Sequence, residues 1–134
     1  MKHVLVDTDI LSLFFREHHQ VVDKFKKYLK EYESINFSIV TYYEILSGLK
    51  YRDAHKQLNH FLNFANYSNI LPLTIQSISI SGDIYANLRK TGYLIDDIDI
   101  LIAGIALANN LVLVTGNEKH FQQIEELEIQ NWSK

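Results

Sequence analysis

Three acidic residues far apart in the chain, Asp7, Glu44 and Asp99, together with Asn117, are the side chains best placed to do chemistry. Asp7 ends the apolar run Val4-Leu5-Val6, Asp99 opens a strongly apolar segment, and Asn117 follows the apolar run Leu111 to Val114. Glu44 lies three residues after Thr41, at the spacing of a helix capping box. Strand carboxyl ends and helix N-termini meet on the same edge of a parallel sheet, so all four residues are expected on one rim. Carboxylates a few Å apart repel by about 4 kcal/mol per close pair at a protein-like dielectric. Such a group either takes up protons or binds a cation. Oxygen ligands favour Mg²⁺ or Mn²⁺, with Asp7, Glu44 and Asp99 as the ligands. A hard cation with open positions for phosphate and water supports phosphodiester hydrolysis. The simpler reading of Asp7 and Thr8 is that they only cap the following helix.

The elements that position these residues follow from patterning. A continuous Val/Leu run, as in Val4 to Val6 and again in Leu111 to Val114, marks a parallel strand buried on both faces and covered by helices. Val21, Val22, Phe25, Tyr28, Leu29 and Tyr32 recur at helical spacing, with Lys24, Lys26, Lys27 and Lys30 on the other side, a solvated face that could also guide a phosphate backbone. Ile35, Phe37 and Ile39 alternate as a short strand, and Thr41 to Glu44 then open a helix with Glu44 in its first turn. Leu58, Phe61, Leu62 and Ala65 mark another helix, and Pro72 after Ile70-Leu71 points to an edge strand. A helix from Ser77 ends at Thr91-Gly92, where Gly92 suits a left-handed cap. Asp96, Asp97 and Asp99 precede a helix that is apolar nearly all round, which is more negative charge than capping needs. Glu128 to Trp132 supply a last short strand. The expected fold is α/β, a three-layer α/β/α sandwich around a central, mainly parallel sheet.

Composition narrows the class. The 134 residues suit a single domain spanning 1–134, large enough to bury a core without staples. No cysteine is present, which excludes thiol chemistry and disulfides and fits a reducing, cytoplasmic setting. The apolar N-terminal run breaks at Asp7, against a signal peptide, and no run reaches the ~20 residues of a membrane span. A net charge of −3 gives no general attraction to nucleic acid, so such binding needs a local basic patch or bound cations. The six histidines, His3, His18, His19, His55, His60 and His120, show neither zinc-ligand spacing nor a Ser/Asp partner pattern and read as surface or core residues.

Taken together, Val4 to Ser12, Thr41 to Gly48, Asp99 to Gly104, Leu111 to Asn117 with Phe121, and Leu127 to Trp132 resemble the PIN-domain nucleases, and among them the VapC-type toxins. The specificity lies in the five pieces standing in order over nearly the whole chain. The resemblance implies a Mg²⁺-dependent endoribonuclease, with Mn²⁺ able to substitute, cutting RNA and often tRNA, usually dimeric, and held inactive by a cognate antitoxin of a type II toxin-antitoxin system. Carried over residue by residue, Asp7, Glu44 and Asp99 match the acidic triad, and the fourth acidic position falls on Asn117. Asp96 and Asp97 match no invariant acid and stand as candidates for an auxiliary water or metal contact.

Three other readings compete. Asp7-Thr8-Asp9 and Asp96-Asp97-Ile98-Asp99 echo the haloacid-dehalogenase-like phosphatases, but Leu11 and Ile95 stand where that family has Thr or Val and Gly, and no lysine follows a strand between the motifs. A receiver domain would need a late-strand lysine that is absent. A catalytically inactive PIN-like module binding RNA or protein is the third possibility, and retention of all three acids argues against it.

Overall fold

A computed structural model describes all 134 residues. The chain runs β1 (Val4–Val6), α1 (Thr8–Phe15), α2 (His19–Glu31), β2 (Asn36–Ser38), α3 (Ile39–Tyr51), α4 (His55–Asn66), β3 (Asn69–Leu71), α5 (Ile75–Lys90), α6 (Asp97–Ala108), β4 (Val112–Val114), α7 (Glu118–Phe121) and β5 (Ile129–Gln130). Every strand pairing is parallel: β4 lies between β1 and β5, and β2 pairs with β3. Asn36 Nδ2 donates to Val4 O at 3.0 Å, which ties β2 to β1 through a side chain.

The both-face burial expected of the apolar strands is visible in how the core divides. Val4, Val6, Val112 and Val114 belong to one buried cluster with Phe25, Tyr28, Phe61 and Trp132 from the layer of α1 to α4 and the C-terminus. Leu5 and Leu113 belong to the other, with Ile84 and Leu88 of α5 and Ile102, Ile105 and Ala106 of α6. Successive strand residues point to opposite faces, so a strand in the middle layer has no solvent-facing position for a polar side chain. The three-layer α/β/α architecture follows from that alternation.

Most element boundaries agree with the sequence pattern. Pro72 directly follows β3, which pairs with β2 alone, and Gly92 takes φ +83 after α5. The start of α3 differs. Ser38, not Thr41, is its N-cap: Thr41 N donates to Ser38 Oγ at 2.9 Å, so the helix begins at Ile39 and Glu44 lies in the second turn. The Thr41–Glu44 capping box is therefore absent, and Glu44 is not needed by backbone donors.

Helices α5 and α6 approach closely at Gly104. A Cβ there would collide with Ser81 Oγ and come within 2.6 Å of Ser77 O. Ser81 Oγ in turn donates to Ile100 O at 3.0 Å, so the serine cannot turn away freely. Gly104→Ala should cost about 1–3 kcal/mol despite alanine's better helix propensity, because the added methyl overpacks a rigid interface. A urea titration of the variant that matches the wild-type midpoint would show that the helices separate without cost.

Candidate active site

Asp7 is placed by the sheet before it is placed by any chemistry. Its N–H donates to Val114 O at 2.9 Å, extending the β1–β4 ladder by one residue, and its side chain then caps α1 by accepting from Thr8 N at 2.8 Å. The other carboxylate oxygen accepts from Thr115 Oγ1 at 2.8 Å. Thr115 is fully buried, and its hydroxyl oxygen also accepts from Asn117 N at 3.0 Å, so the ends of β1 and β4 are locked together. Asp9 makes a second tie across the same strand ends: Oδ2 accepts from Gly116 N at 2.9 Å and Oδ1 from Ile10 N at 2.8 Å. A Cβ at Gly116 would lie 2.8 Å from Asp9 Oδ2, so a larger residue there would have to displace the Asp9 carboxylate from its tie to the Gly116 N–H.

Glu44 reaches this corner from α3. Thr8 Oγ1 donates to Glu44 Oε1 at 2.6 Å and lies 2.9 Å from Thr41 Oγ1. One hydroxyl proton cannot serve both, so Thr8 gives its proton to the carboxylate and accepts from Thr41. Asp99, on the first turn of α6, is half-buried, with Oδ2 3.2 Å from His120 Nδ1. Asn117 Nδ2 lies 2.7 Å from the same ring nitrogen. Nδ1 carries at most one proton: with it the ring donates to Asp99, and without it the ring accepts from Asn117 Nδ2.

The electrostatics of the corner are those of unbalanced negative charge. Burial, reinforced by the charge of Asp9 and more weakly of Asp99, raises the Asp7 pKa from 3.8 to about 7, although hydrogen bonds from Thr115 and Thr8 pull the other way. Asp9 is raised too, chiefly by burial and also by Asp99, against the stabilising N–H groups of Gly116 and Ile10. Oxygen donors with surplus negative charge fit a hard divalent cation in donor type and charge. The side chains are not drawn into a finished cage, since no three Asp, Glu or His groups converge closely enough to hold an ion. Glu44 is tethered to Thr8 and Asp99 to His120.

Of the residues singled out in the sequence, Asp7, Asp9 and Asp99 sense one another's charge, Glu44 is joined to them through Thr8, and Asn117 through Thr115 and His120. Asp96 and Asp97 are exposed, and Asp96 occupies the N-cap of α6 without a side-chain capping bond. Thr8, Thr115 and His120 were not legible as site residues. His120 is exposed, as its reading as a surface residue has it, yet its Nδ1 lies 3.2 Å from Asp99 Oδ2, and the one signal of that contact in the sequence is its position three residues after Asn117.

Comparison with known proteins gives a concordant result. A family model described as PIN domain matches residues 4–127. Ribonuclease VapC1 of Methanocaldococcus jannaschii is 32% identical over 131 residues, covering 98% of this chain and 88% of the relative. The tRNA(fMet)-specific endonuclease VapC of Shigella flexneri is 28% identical over 97 residues, covering 72% of this chain and 74% of the relative. Among solved structures, VapBC2 from Rickettsia felis bound to a DNA fragment from their promoter superposes with a TM-score of 0.87 at 25% identity, covering 96% of this chain and 98% of the other.

Proposed function

The chain belongs to the PIN-domain family, and from that premise we propose that it is a metal-dependent endoribonuclease whose site is built from Asp7, Glu44, Asp99 and Asn117. The observation that carries this reading is the gathering of Asp7, Asp9 and Asp99 at the carboxyl ends of β1 and β4, with Glu44 joined to that corner through Thr8, where burial and the like charges raise the Asp7 pKa to about 7. Family membership removes the phosphatase and receiver readings. The acids, each held by its own hydroxyl or imidazole partner, weigh against the inactive module.

In this reading Asp7, Glu44 and Asp99 hold Mg²⁺, with Mn²⁺ able to substitute. When bound, the cation supplies the Lewis acidity that activates water and offsets charge growing on the phosphate. The chain's own residues do the positioning. Thr115 and the Thr8 N–H fix Asp7 in one rotamer, Thr8 aims Glu44, and His120 holds Asp99 against Asn117. Asp9 keeps both oxygens on backbone N–H groups and contributes field rather than ligation.

The Shigella relative's name points to tRNA as one substrate class, and the VapBC neighbour points to a cognate antitoxin as partner, in a type II toxin-antitoxin pair. A homodimer is supported by apolar side chains left in solvent, among them Ile75 (88% exposed) and Ile78 (45% exposed), one turn apart on α5. No helix is long and apolar enough to cross a membrane, and a cytoplasmic location fits.

The test is RNA cleavage by the purified protein with Mg²⁺ and with EDTA. Cleavage should require the cation, and cleavage indifferent to EDTA would remove the mechanism. A cation that binds only the folded state also adds about 2.7 kcal/mol at a hundredfold excess over Kd, so the melting temperature should rise with millimolar Mg²⁺.

A further inference from the structure

A cleft of about 420 Å³ opens from the Thr8 and Glu44 end of the site and runs between α1, α3 and α4. Arg16 and Arg52, two of the chain's three arginines, stand on its walls, and Phe15 and His60 also line it. Neither arginine is in an ion pair, whereas Arg89 lies over the Tyr85 ring. Arg16 and Arg52 are the C-caps of α1 and α3, where the helix dipole favours any cation. That preference does not explain why both face one cleft beside a cluster of acids. Phe15 is braced edge-on by Phe61 and Phe64, with ring centroids 6.0 and 5.2 Å away, yet remains 36% exposed. A braced aromatic surface next to unpaired guanidinium groups is how proteins hold unstacked bases and their phosphates.

We propose that this cleft holds the nucleotide flanking the cut in single-stranded RNA, with Arg16 and Arg52 on its phosphates and Phe15 and His60 against its base. The volume lies within the range of small-molecule sites, and a cleft of that size takes one splayed nucleotide rather than a duplex. The chain's net charge of −3 makes local cations necessary for any RNA grip, and guanidinium is better matched than ammonium to phosphate oxygens. The inference rests on the endoribonuclease reading and specifies which nucleic-acid contact the site makes beyond its acids.

The experiment measures kcat and KM on a single-stranded RNA oligonucleotide, across a KCl series, for wild type, Arg16→Ala/Arg52→Ala and Arg16→Lys/Arg52→Lys, with Tm recorded for each. The double alanine variant should raise KM at least tenfold with kcat within about threefold of wild type. Its dependence of log KM on log salt should flatten by about 1.4, the value for two lost single-strand phosphate contacts. The lysine variant should restore the salt slope, which a merely structural role would not do. Phe15→Leu should change base preference beside the cut. If wild type cleaves no RNA, the endoribonuclease reading fails and takes the inference with it. Wild-type cleavage with unchanged KM and salt slope in the double alanine variant overturns the inference alone. So does unchanged kinetics combined with weakened binding of an antitoxin protein, which would make the cleft a protein-docking groove.

Discussion

Asp7→Asn is expected to abolish RNA cleavage and, in the same protein, to make the metal-free fold more stable at neutral pH. Loss of a single preorganised hydrogen-bond donor to a developing oxyanion costs about 10²–10³ in rate, and removal of a cation ligand should cost no less. Asparagine keeps the oxygen that caps α1 through the Thr8 N–H, so the local structure should survive. The stability effect has a definite sign. The Asp7 carboxyl titrates near 3.8 in an unfolded chain and at about 7 in the fold, so between those values the folded state holds a proton that the unfolded state has released. Its contribution is complete below pH 3.8 and is lost as pH rises through 7, an effect of up to about 4 kcal/mol at 1.36 kcal/mol per pH unit. Asp9, shifted in the same direction, adds to the trend. Melts of wild type in EDTA should therefore fall from pH 5 to pH 8, with Mg²⁺ restoring much of the loss at pH 8, and the Asp7→Asn curve should be much flatter. A wild-type melting temperature that rises over that interval would contradict the charge arrangement at this corner.

The same corner shows what the sequence could reveal. Val4 to Val6 and Val112 to Val114 are buried on both faces, so every position is apolar and the run announces itself without reference to any partner. Polar residues just past such a strand emerge at the sheet's carboxyl edge, which is why Asp7 and Asn117 could be placed on one rim from patterning alone. Asp99 was legible for a related reason, since three carboxylates ahead of an apolar helix exceed what its N-terminus can use. The start of α3 was not, because Ser38-x-x-Thr41 and Thr41-x-x-Glu44 have the same spacing and only the backbone geometry at Ser38 decides between them. Thr115 and His120 escaped detection because their roles exist only across the fold. Thr115 meets Asp7 over 108 positions and His120 meets Asp99 over 21, and neither residue type is unusual where it stands.

Glu44→Gln should reduce cleavage by orders of magnitude and leave the melting temperature nearly unchanged. The structure sharpens this expectation by removing the competing role for Glu44. With α3 capped by Ser38, the Glu44 carboxylate has no backbone N–H to satisfy, and its defined partner is the Thr8 hydroxyl at 2.6 Å. Glutamine accepts the same hydrogen bond through its amide oxygen, so the contact to α1 survives and stability should shift by no more than about 0.5 kcal/mol, the range of a surface substitution. What glutamine lacks is the negative charge, which matters only if Glu44 acts on a cation or its water. Ser38→Ala provides the complementary control, because it removes the true N-cap oxygen and should cost about 1 kcal/mol while leaving most of the activity. Thr8→Val separates aim from charge: Glu44 keeps its carboxylate but loses the donor that orients it, and activity should fall by less than in Glu44→Gln. The order Glu44→Gln below Thr8→Val below Ser38→Ala in activity, with Ser38→Ala less stable than Glu44→Gln, is the pattern that a charged, oriented ligand predicts. Full cleavage by a folded Glu44→Gln protein would take Glu44 out of the site and leave the corner to Asp7 and Asp99.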